Sequence, residues 1–138
     1  MPHLVVRGLR KTYGPVTALD RIDLDVAQGE FLTLLGPSGS GKTTLLMALA
    51  GFVHPDDGSV EVGGRDVLRM PPEDRDFGMV FQGYALFPHM SVTENIAFPL
   101  RVRGWDRARV AARVAEMIAL VALGGMADRK PRQLSGGQ

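Results

Sequence analysis

The chain has 138 residues, of which 45% are hydrophobic and 22% are charged, a balance that is ordinary for a globular domain with its own core. The formal net charge of +1, from 16 basic and 15 acidic residues, does not indicate nucleic acid as a partner. The absence of cysteine excludes disulfides and thiolate metal sites. Because no apolar run reaches the length of a membrane span, we expect any link to a membrane to depend on a partner.

The first part of the chain is predicted to be rich in strands. Residues 4–9 alternate loosely between apolar and polar side chains, and residues 13–15 predict a turn. Residues 18–26 alternate cleanly, as a half-buried strand does, before a turn at residues 28–29. The short apolar run at residues 30–35 predicts a buried strand of a parallel sheet.

Residues 36–43 fit the pattern G-x-x-x-x-G-K-[ST]. This spacing predicts a loop whose backbone N–H groups point inward and form a concave site for phosphate oxygens. Lys42 adds a positive charge for the outer phosphates, and the hydroxyl of Thr43 can ligate Mg²⁺. Residues 43–50 predict a helix closed by Gly51, and the N-terminus of that helix would favour an anion. The motif and its context predict a site for a nucleoside triphosphate.

Beyond this helix the sequence returns to turns and strands. Residues 55–58 predict a turn, residues 59–62 a short strand, and residues 63–64 a second turn. Residues 77–81 predict one more strand, which ends at Gln82.

The last part of the chain is predicted to be helical. Residues 91–94 resemble a capping box that opens a helix extending to about Leu100, with Pro99 kinking or ending it. Asp106 is the predicted N-cap of a longer helix. The predicted apolar face of that helix consists of Val110, Val114, Met117 and Val121, and its solvated face carries Arg107, Arg109 and Arg113.

The final five residues, 134–138, read Leu-Ser-Gly-Gly-Gln. Together with the phosphate-loop motif, they resemble the signature of ABC transporter nucleotide-binding subunits. In that family the signature begins a helix, and its hydroxyl and glycine N–H groups face a γ-phosphate held by the other subunit of a head-to-tail dimer. Glycine suits this role because no Cβ blocks the approach of the backbone to a ligand. A flexible Ser-Gly-Gly tail is the alternative interpretation of these residues by themselves.

Other positions resemble the same family. Tyr13 matches an aromatic residue whose ring stacks on adenine, although an ordinary turn residue is the alternative. Gln82 matches the Q-loop glutamine near Mg²⁺ and the attacking water, against a surface amide as the alternative. Residues 84–92 resemble the start of the helical subdomain, which receives the membrane permease. Gly83 departs from the usual polar residue and puts the stiffness of this loop in question.

The resemblance implies an α/β fold, namely a P-loop NTPase core of the ABC type with an antiparallel β-subdomain and a helical subdomain. Residues 1–83 would form the nucleotide-binding core, and residues 84–138 the helical subdomain. The implied catalytic residues are Lys42 and Gln82, and the implied Mg²⁺ ligands are Thr43 and Gln82. The implied contacts with ATP are Tyr13, Gly36, Pro37, Ser38, Gly39, Ser40, Gly41, Lys42, Thr43, Thr44, Ser135, Gly136, Gly137 and Gln138.

The function implied by the resemblance is that of an ATP-hydrolysing subunit that energises solute import. Residues 79–100 resemble the importer branch that serves polyamines, iron, sulfate and sugars. The implied partners are a second copy of the subunit and a membrane permease at the cytoplasmic face of the membrane. Two alternatives remain open at this point, a soluble ABC ATPase that moves no solute and an inactive nucleotide-binding fragment.

Two segments of the family pattern have no match in the chain, the Walker B strand that ends in Asp-Glu and the later histidine switch. We therefore expect a chain truncated before the Walker B strand. Because phosphoryl transfer depends on positioned charges, we expect these residues by themselves to bind nucleotide weakly and to turn over little. The sequence does not name the solute.

Overall fold

The computed structural model describes residues 2–138, which separate into two compact units. The first unit ends at Met79, and the second runs from Val80 to Gln138. The assignment of a nucleotide-binding core to residues 1–83 and a helical subdomain to residues 84–138 stays a prediction.

The first unit contains a four-stranded antiparallel sheet with the strand order β2-β1-β3-β4. A two-residue turn at Gly14-Pro15 joins the two longest strands, as the sequence predicts. The two predicted strands at residues 4–9 and 18–26 are confirmed and are longer than the patterns suggest, while the two-residue strand β4 has no pattern of its own. The strands are β1 (Pro2–Tyr13), β2 (Val16–Ala27), β3 (Asp57–Val62) and β4 (Arg65–Asp66).

One face of this sheet forms the core with helix α1 (Lys42–Ala50). Alternation along the strands turns apolar side chains to the same face, and α1 covers them. Gly51 follows the helix with a φ of 91°, and its N–H donates to the carbonyl of Ala48, which confirms the predicted helix end. The fully or nearly fully buried members are Val6, Leu9, Leu19, Leu45, Ala48, Leu49, Val60 and Val67.

Two predicted strands are wrong. Residues 30–35 and 77–81 carry no strand assignment, and the side chains of Phe31, Leu35 and Val80 are 92%, 89% and 92% exposed. The reason is that a strand exists only when a neighbour pairs with its N–H and C=O groups. Within residues 2–138 no segment pairs with either run, so neither run is part of a parallel sheet.

The predicted turn at residues 55–58 is only partly correct, because Asp57 and Gly58 already belong to β3. Gly58 has a φ of 101°, and a Cβ there would press against the backbone of Arg7. Glycine is needed at this position because β1 and β3 approach closely. The predicted turn at Gly63-Gly64 is confirmed.

The second unit contains helices α2 (Val92–Val102) and α3 (Arg107–Leu120). The predicted capping box is confirmed: Ser91 Oγ accepts from the Glu94 N–H at 3.2 Å, and a Glu94 carboxylate oxygen accepts from the Ser91 N–H at 2.7 Å. The predicted cap of α3 is also confirmed, since Asp106 Oδ1 accepts from the Arg109 N–H at 2.9 Å.

The helix α2 extends slightly past the predicted end near Leu100, and of the two predicted effects of Pro99 the ending of the helix does not occur. Proline removes one backbone donor, but the Pro99 carbonyl still accepts from the Arg103 N–H at 3.2 Å, and the helix continues to Val102. Inside the unit, α2 packs on α3 through a small core of Ala97, Val110 and Val114, with Ile96, Leu100, Trp105 and Ile118 around it.

The predicted apolar face of α3 is right at its first half and wrong at its end. Val110 and Val114 are buried, and Met117 is partly buried, whereas Val121 is 56% exposed. Val121 is the residue after the last helical one, and its side chain borders a solvent-accessible cavity together with Ile96 and Pro99 of α2. The helices of the described part of the chain include none that is long and apolar enough to cross a bilayer.

Candidate nucleotide site

The loop at residues 36–43 lies in the first unit and leads directly into α1. Gly39 and Gly41 have φ angles of 80° and 84°, a region that residues with a Cβ rarely adopt. At Gly41 a Cβ would also overlap the carbonyl oxygen of Ala18 on β2. The second fixed glycine of the motif is thus required both by its backbone angle and by its contact with the sheet.

The side chain of Lys42 forms hydrogen bonds with three residues of this loop. Its ammonium group donates to the carbonyls of Gly36 and Pro37, each at 2.7 Å, and to Ser40 Oγ at 3.0 Å. All three of these acceptors are neutral oxygens of the loop. An anion placed in the loop would offer this ammonium group a charged acceptor in place of neutral ones.

The N-terminus of α1 is free to receive such an anion. Gly41 is the N-cap and has no side chain to satisfy the first N–H groups of the helix, and the first turn contains no acidic residue. The positive end of the helix dipole is therefore not compensated by the helix itself. Thr43 is exposed in this first turn, and its hydroxyl is a suitable oxygen ligand for Mg²⁺. The loop, Lys42 and the helix end together fit a phosphate group with a bound magnesium ion.

The other end of α1 is held by Arg75, a residue that sequence reasoning missed. Its side chain is buried, with 5% relative exposure, and its guanidinium donates to the carbonyls of Ala48 and Leu49 at 2.9 and 3.0 Å. It also donates to the carbonyls of Leu68 and Met70, each at 2.9 Å. Burial lowers the pKa of this guanidinium below its usual range. The partners in α1 are 26 and 27 residues away, so no local pattern could have indicated the contact.

Tyr13 lies at the end of β1, with 50% of its surface exposed. The ammonium of Lys11 is 5.4 Å from the centroid of the Tyr13 ring, within the range of a cation–π contact. A half-exposed ring at a strand end can stack on a planar ligand. The contact of Tyr13 with adenine stays a prediction.

Beside Tyr13 lies a polar cluster that we call the Asp56 clamp, formed by Lys11, Thr12 and Asp56. One carboxylate oxygen of Asp56 accepts from Lys11 Nζ at 2.9 Å, and the other accepts from the backbone N–H and the hydroxyl of Thr12, both at 2.7 Å. These hydrogen bonds, the one from Lys11 first, lower the pKa of the Asp56 carboxyl from 3.8 to about 2. The sequence pattern indicated only a turn at Asp56.

Gln82 lies in the second unit, whereas Lys42 lies in the first. Its side chain is exposed at the start of an irregular loop, in which Tyr84 and Ala85 have positive φ angles of 63° and 51°. Residues other than glycine adopt this conformation at a cost, so the loop is held by contacts around it.

Farther along the same segment, Asn95 makes contacts that were not identified from the sequence. Its amide nitrogen donates to the carbonyls of Phe87, Met90 and Ser91, and its amide oxygen accepts from the Phe87 N–H at 2.9 Å. The ring of Phe87 packs on that of Phe98 with centroids 4.6 Å apart. A single side chain on α2 thus holds the backbone at Phe87, Met90 and Ser91.

The signature residues adopt the hydrogen-bonding pattern of a helix start. The Ser135 N–H donates to Gln138 Oε1 at 3.0 Å, and the Gln138 N–H donates to Ser135 Oγ at 3.3 Å. This reciprocal pair has the hydrogen-bonding pattern of a capping box, and residues 136–137 between the two partners form a turn. Gly136 and Gly137, between them, have open space where a Cβ would lie. The backbone of both glycines is therefore accessible to a ligand.

The signature and the segment at residues 84–92 also share one cavity of the second unit. This cavity has a volume of about 430 Å³ and a mostly apolar lining, to which Leu86, Val92, Leu134 and Gln138 contribute. The described residues contain no group of three or more His, Asp or Glu that could hold a metal ion without another ligand.

Comparison with known families gives one match over most of the chain. The family described as ABC transporter matches residues 19–138. The sulfate/thiosulfate import ATP-binding protein CysA of Xanthomonas campestris pv. campestris is 59% identical over 137 residues, which cover 96% of this chain and 40% of that protein. The spermidine/putrescine import ATP-binding protein PotA of Thermobifida fusca is 53% identical and is matched over 37% of its length.

A third relative, the sn-glycerol-3-phosphate import ATP-binding protein UgpC of Rhodopseudomonas palustris, is 50% identical and is matched over 38% of its length. The chain thus spans about two fifths of the curated relatives it matches. Among solved structures, the dimeric ATP-binding cassette MJ0796 bound to ADP and Pi superposes with a TM-score of 0.87 at 30% identity. That superposition covers 98% of this chain and 64% of the cassette.

Proposed function

The chain belongs to the ABC transporter family, and we propose that it forms part of an ATPase subunit that energises the import of a small charged solute. The proposal rests on the loop at residues 36–43, in which Lys42 and the uncapped start of α1 converge. The named relatives import sulfate or thiosulfate, spermidine or putrescine, and glycerol 3-phosphate. Since all of these solutes are charged, a small charged solute is the class we propose.

In this proposal the phosphates of ATP occupy the loop. The ammonium of Lys42 exchanges the carbonyls of Gly36 and Pro37 for phosphate oxygens, which are charged acceptors and bind it more strongly. The free N–H groups at the start of α1 donate to the same phosphates. The remaining phosphate contacts we propose come from Ser38, Gly39, Ser40, Gly41 and Thr44.

Mg²⁺ would be held by the hydroxyl of Thr43. The catalytic role of Gln82 and its contact with Mg²⁺ stay predictions from the family resemblance. When bound, Mg-ATP supplies the phosphoryl group whose transfer to water releases the energy for import. The residues of this chain bind and orient that group: Lys42 balances its charge, the helix start fixes its position, and Tyr13 stacks on the base.

We further propose two protein partners. A second copy would present Ser135, Gly136, Gly137 and Gln138 to the nucleotide, an arrangement supported by the open backbone of the two glycines and by the dimeric form of the similar cassette. A membrane permease would contact the segment at residues 84–92 from the cytoplasmic face. The exposure of Tyr84, at 64%, and of Leu86, at 50%, supports a protein contact there.

The proposal is tested by the binding of Mg-ATP to the purified protein, measured by titration calorimetry. The substitution Lys42→Ala should weaken binding by at least about tenfold, because hydrogen bonds to charged groups contribute about 1.5–3 kcal/mol. Lys130→Ala is the matched control. Lys130 is exposed in the second unit, and its substitution removes the same charge from the protein. Equal affinities for the Lys42→Ala and Lys130→Ala variants would contradict the assignment of the phosphate site.

A further inference from the structure

The Asp56 clamp lies directly beyond the last paired residues of β1 and β3. The last pair between β1 and β3 joins Arg10 to Asp57, so the backbone of β1 beyond Arg10 has no strand partner on that side. Asp56 serves this edge instead: its N–H donates to the Arg10 carbonyl at 2.8 Å, and its carboxylate accepts from the Thr12 N–H at 2.7 Å. On this side the end of β1 is therefore held by Asp56, while on its other side β1 stays paired with β2 as far as Tyr13 and Val16.

The clamp lies at the surface, and its lysine is the better shielded member of the ion pair. The side chain of Lys11 is only 17% exposed, and that of Asp56 is 40% exposed. Each oxygen of the carboxylate has its own partner, and Thr12 donates both its N–H and its hydroxyl to the same oxygen. Charge-assisted hydrogen bonds of this kind are shorter and stronger than neutral ones, so the cluster fixes the local backbone.

Both arms of the clamp reach Tyr13. Thr12 precedes Tyr13 in the chain, so the hydrogen bond from the Thr12 N–H to Asp56 restrains the backbone next to the ring. Lys11, the other arm, is oriented by Asp56 and brings its ammonium to 5.4 Å from the ring centroid. We propose that Asp56 is a positioning residue that fixes Tyr13 for stacking on the base of the nucleotide. This inference rests on the proposed function, because it assumes a nucleotide beside Tyr13.

The chain provides a matched control in a second ion pair of the same sheet. Arg7 on β1 and Asp25 on β2 lie 2.6 Å apart, and the pKa of Asp25 is lowered chiefly by its hydrogen bond with Arg7. This pair also fastens β1 to a neighbour, but Arg7 is six positions from Tyr13 in the strand. Asp25→Asn therefore removes a comparable surface interaction without touching the backbone next to the ring.

The experiment measures the affinity of the purified protein for Mg-ATP and for magnesium tripolyphosphate, which has no base. We expect Asp56→Asn to weaken Mg-ATP binding on the order of threefold to tenfold, the range of an aromatic stacking contact, and to leave tripolyphosphate binding unchanged. Asp25→Asn should leave both affinities unchanged. In a protein that already carries Tyr13→Ala, Asp56→Asn should have no further effect on either ligand.

Several results would overturn the inference. Equal weakening of both ligands by Asp56→Asn would assign Asp56 a general structural role, and an undiminished effect in the Tyr13→Ala background would show that it does not act through the ring. No effect of Asp56→Asn on Mg-ATP would refute it directly. If Tyr13→Ala leaves Mg-ATP affinity unchanged, the inference fails while the phosphate site stands. If the unsubstituted protein binds neither ligand, the proposed function fails with it.

Discussion

Replacement of Arg75 by methionine should destabilise the first unit through the C-terminal end of α1. The guanidinium donates to four carbonyls, those of Ala48, Leu49, Leu68 and Met70, at 2.9–3.0 Å. Methionine retains most of the apolar volume and donates nothing. The carbonyl of Ala48 keeps one other donor, the Gly51 N–H at 3.3 Å. The substitution therefore takes the Arg75 donor from the carbonyls of Leu49, Leu68 and Met70, of which the Leu49 contact is buried and the other two are partly buried.

The size of the effect follows from these contacts. Each carbonyl that loses its donor costs about 1 kcal/mol or more, so the three together cost on the order of 3–4 kcal/mol. Removal of the charge offsets part of this cost. Burial of a guanidinium at 5% exposure carries a desolvation penalty, and burial of a methionine side chain does not. We therefore expect a net loss of about 2–3 kcal/mol in the free energy of unfolding, among the larger effects of a single substitution.

The assay is equilibrium unfolding in urea, followed by circular dichroism. With a slope of about 1–3 kcal/mol per molar urea, the midpoint should fall by about 0.7–3 M while the slope stays constant. Arg69→Met is the matched control, since Arg69 is exposed six residues earlier and the same change there should be nearly neutral. A loss below about 0.5 kcal/mol for Arg75→Met would refute the assignment of Arg75 as the anchor of α1.

Three further substitutions or conditions test the remaining local contacts. Gly41→Ala should destabilise the protein by at least about 1–2 kcal/mol in thermal unfolding, because its φ is 84° and a Cβ would overlap the Ala18 carbonyl, whereas Gly136→Ala should be neutral. Asp106→Ala should cost about 1 kcal/mol in urea unfolding by removing the cap of α3, and an unchanged midpoint would contradict the role of that hydrogen bond. The Asp56 carboxyl has its pKa lowered from 3.8 to about 2, so its contribution to stability is complete above pH 3.8 and is lost as the pH falls through 2. The difference in stability between the unsubstituted protein and Asp56→Asn should shrink over that interval, and a constant difference would argue against an ionised clamp.

The features that the sequence predicted correctly are those that are fixed within a few residues. The capping box at Ser91 and Glu94 and the cap at Asp106 each join groups three positions apart. Gly51 ends α1 because the positive φ at its position favours glycine. In each case the residue type and its local neighbours are sufficient to determine the geometry.

The features that the sequence did not predict depend on distant partners. Lys11 and Asp56 are 45 positions apart, and Arg75 and Ala48 are 27 apart, so neither contact leaves a periodic or local signal. The error at residues 30–35 has the same origin. Their apolar run predicts burial correctly only if a neighbouring strand is present, and Phe31 is almost fully exposed because no described segment pairs with it.

The two ends of α1 use the same physical property of a helix in opposite ways. At the C-terminal end, Gly51 and the guanidinium of Arg75 satisfy the carbonyls and compensate the negative end of the dipole. At the N-terminal end, Gly41 provides no side chain, and the exposed N–H groups and the positive end of the dipole are left to an external anion. A helix left uncapped at one end is less stable by itself, and the anchoring by Arg75 offsets this. The arrangement therefore keeps α1 in place while its N-terminus stays available, which is what a phosphate site that is emptied and refilled requires.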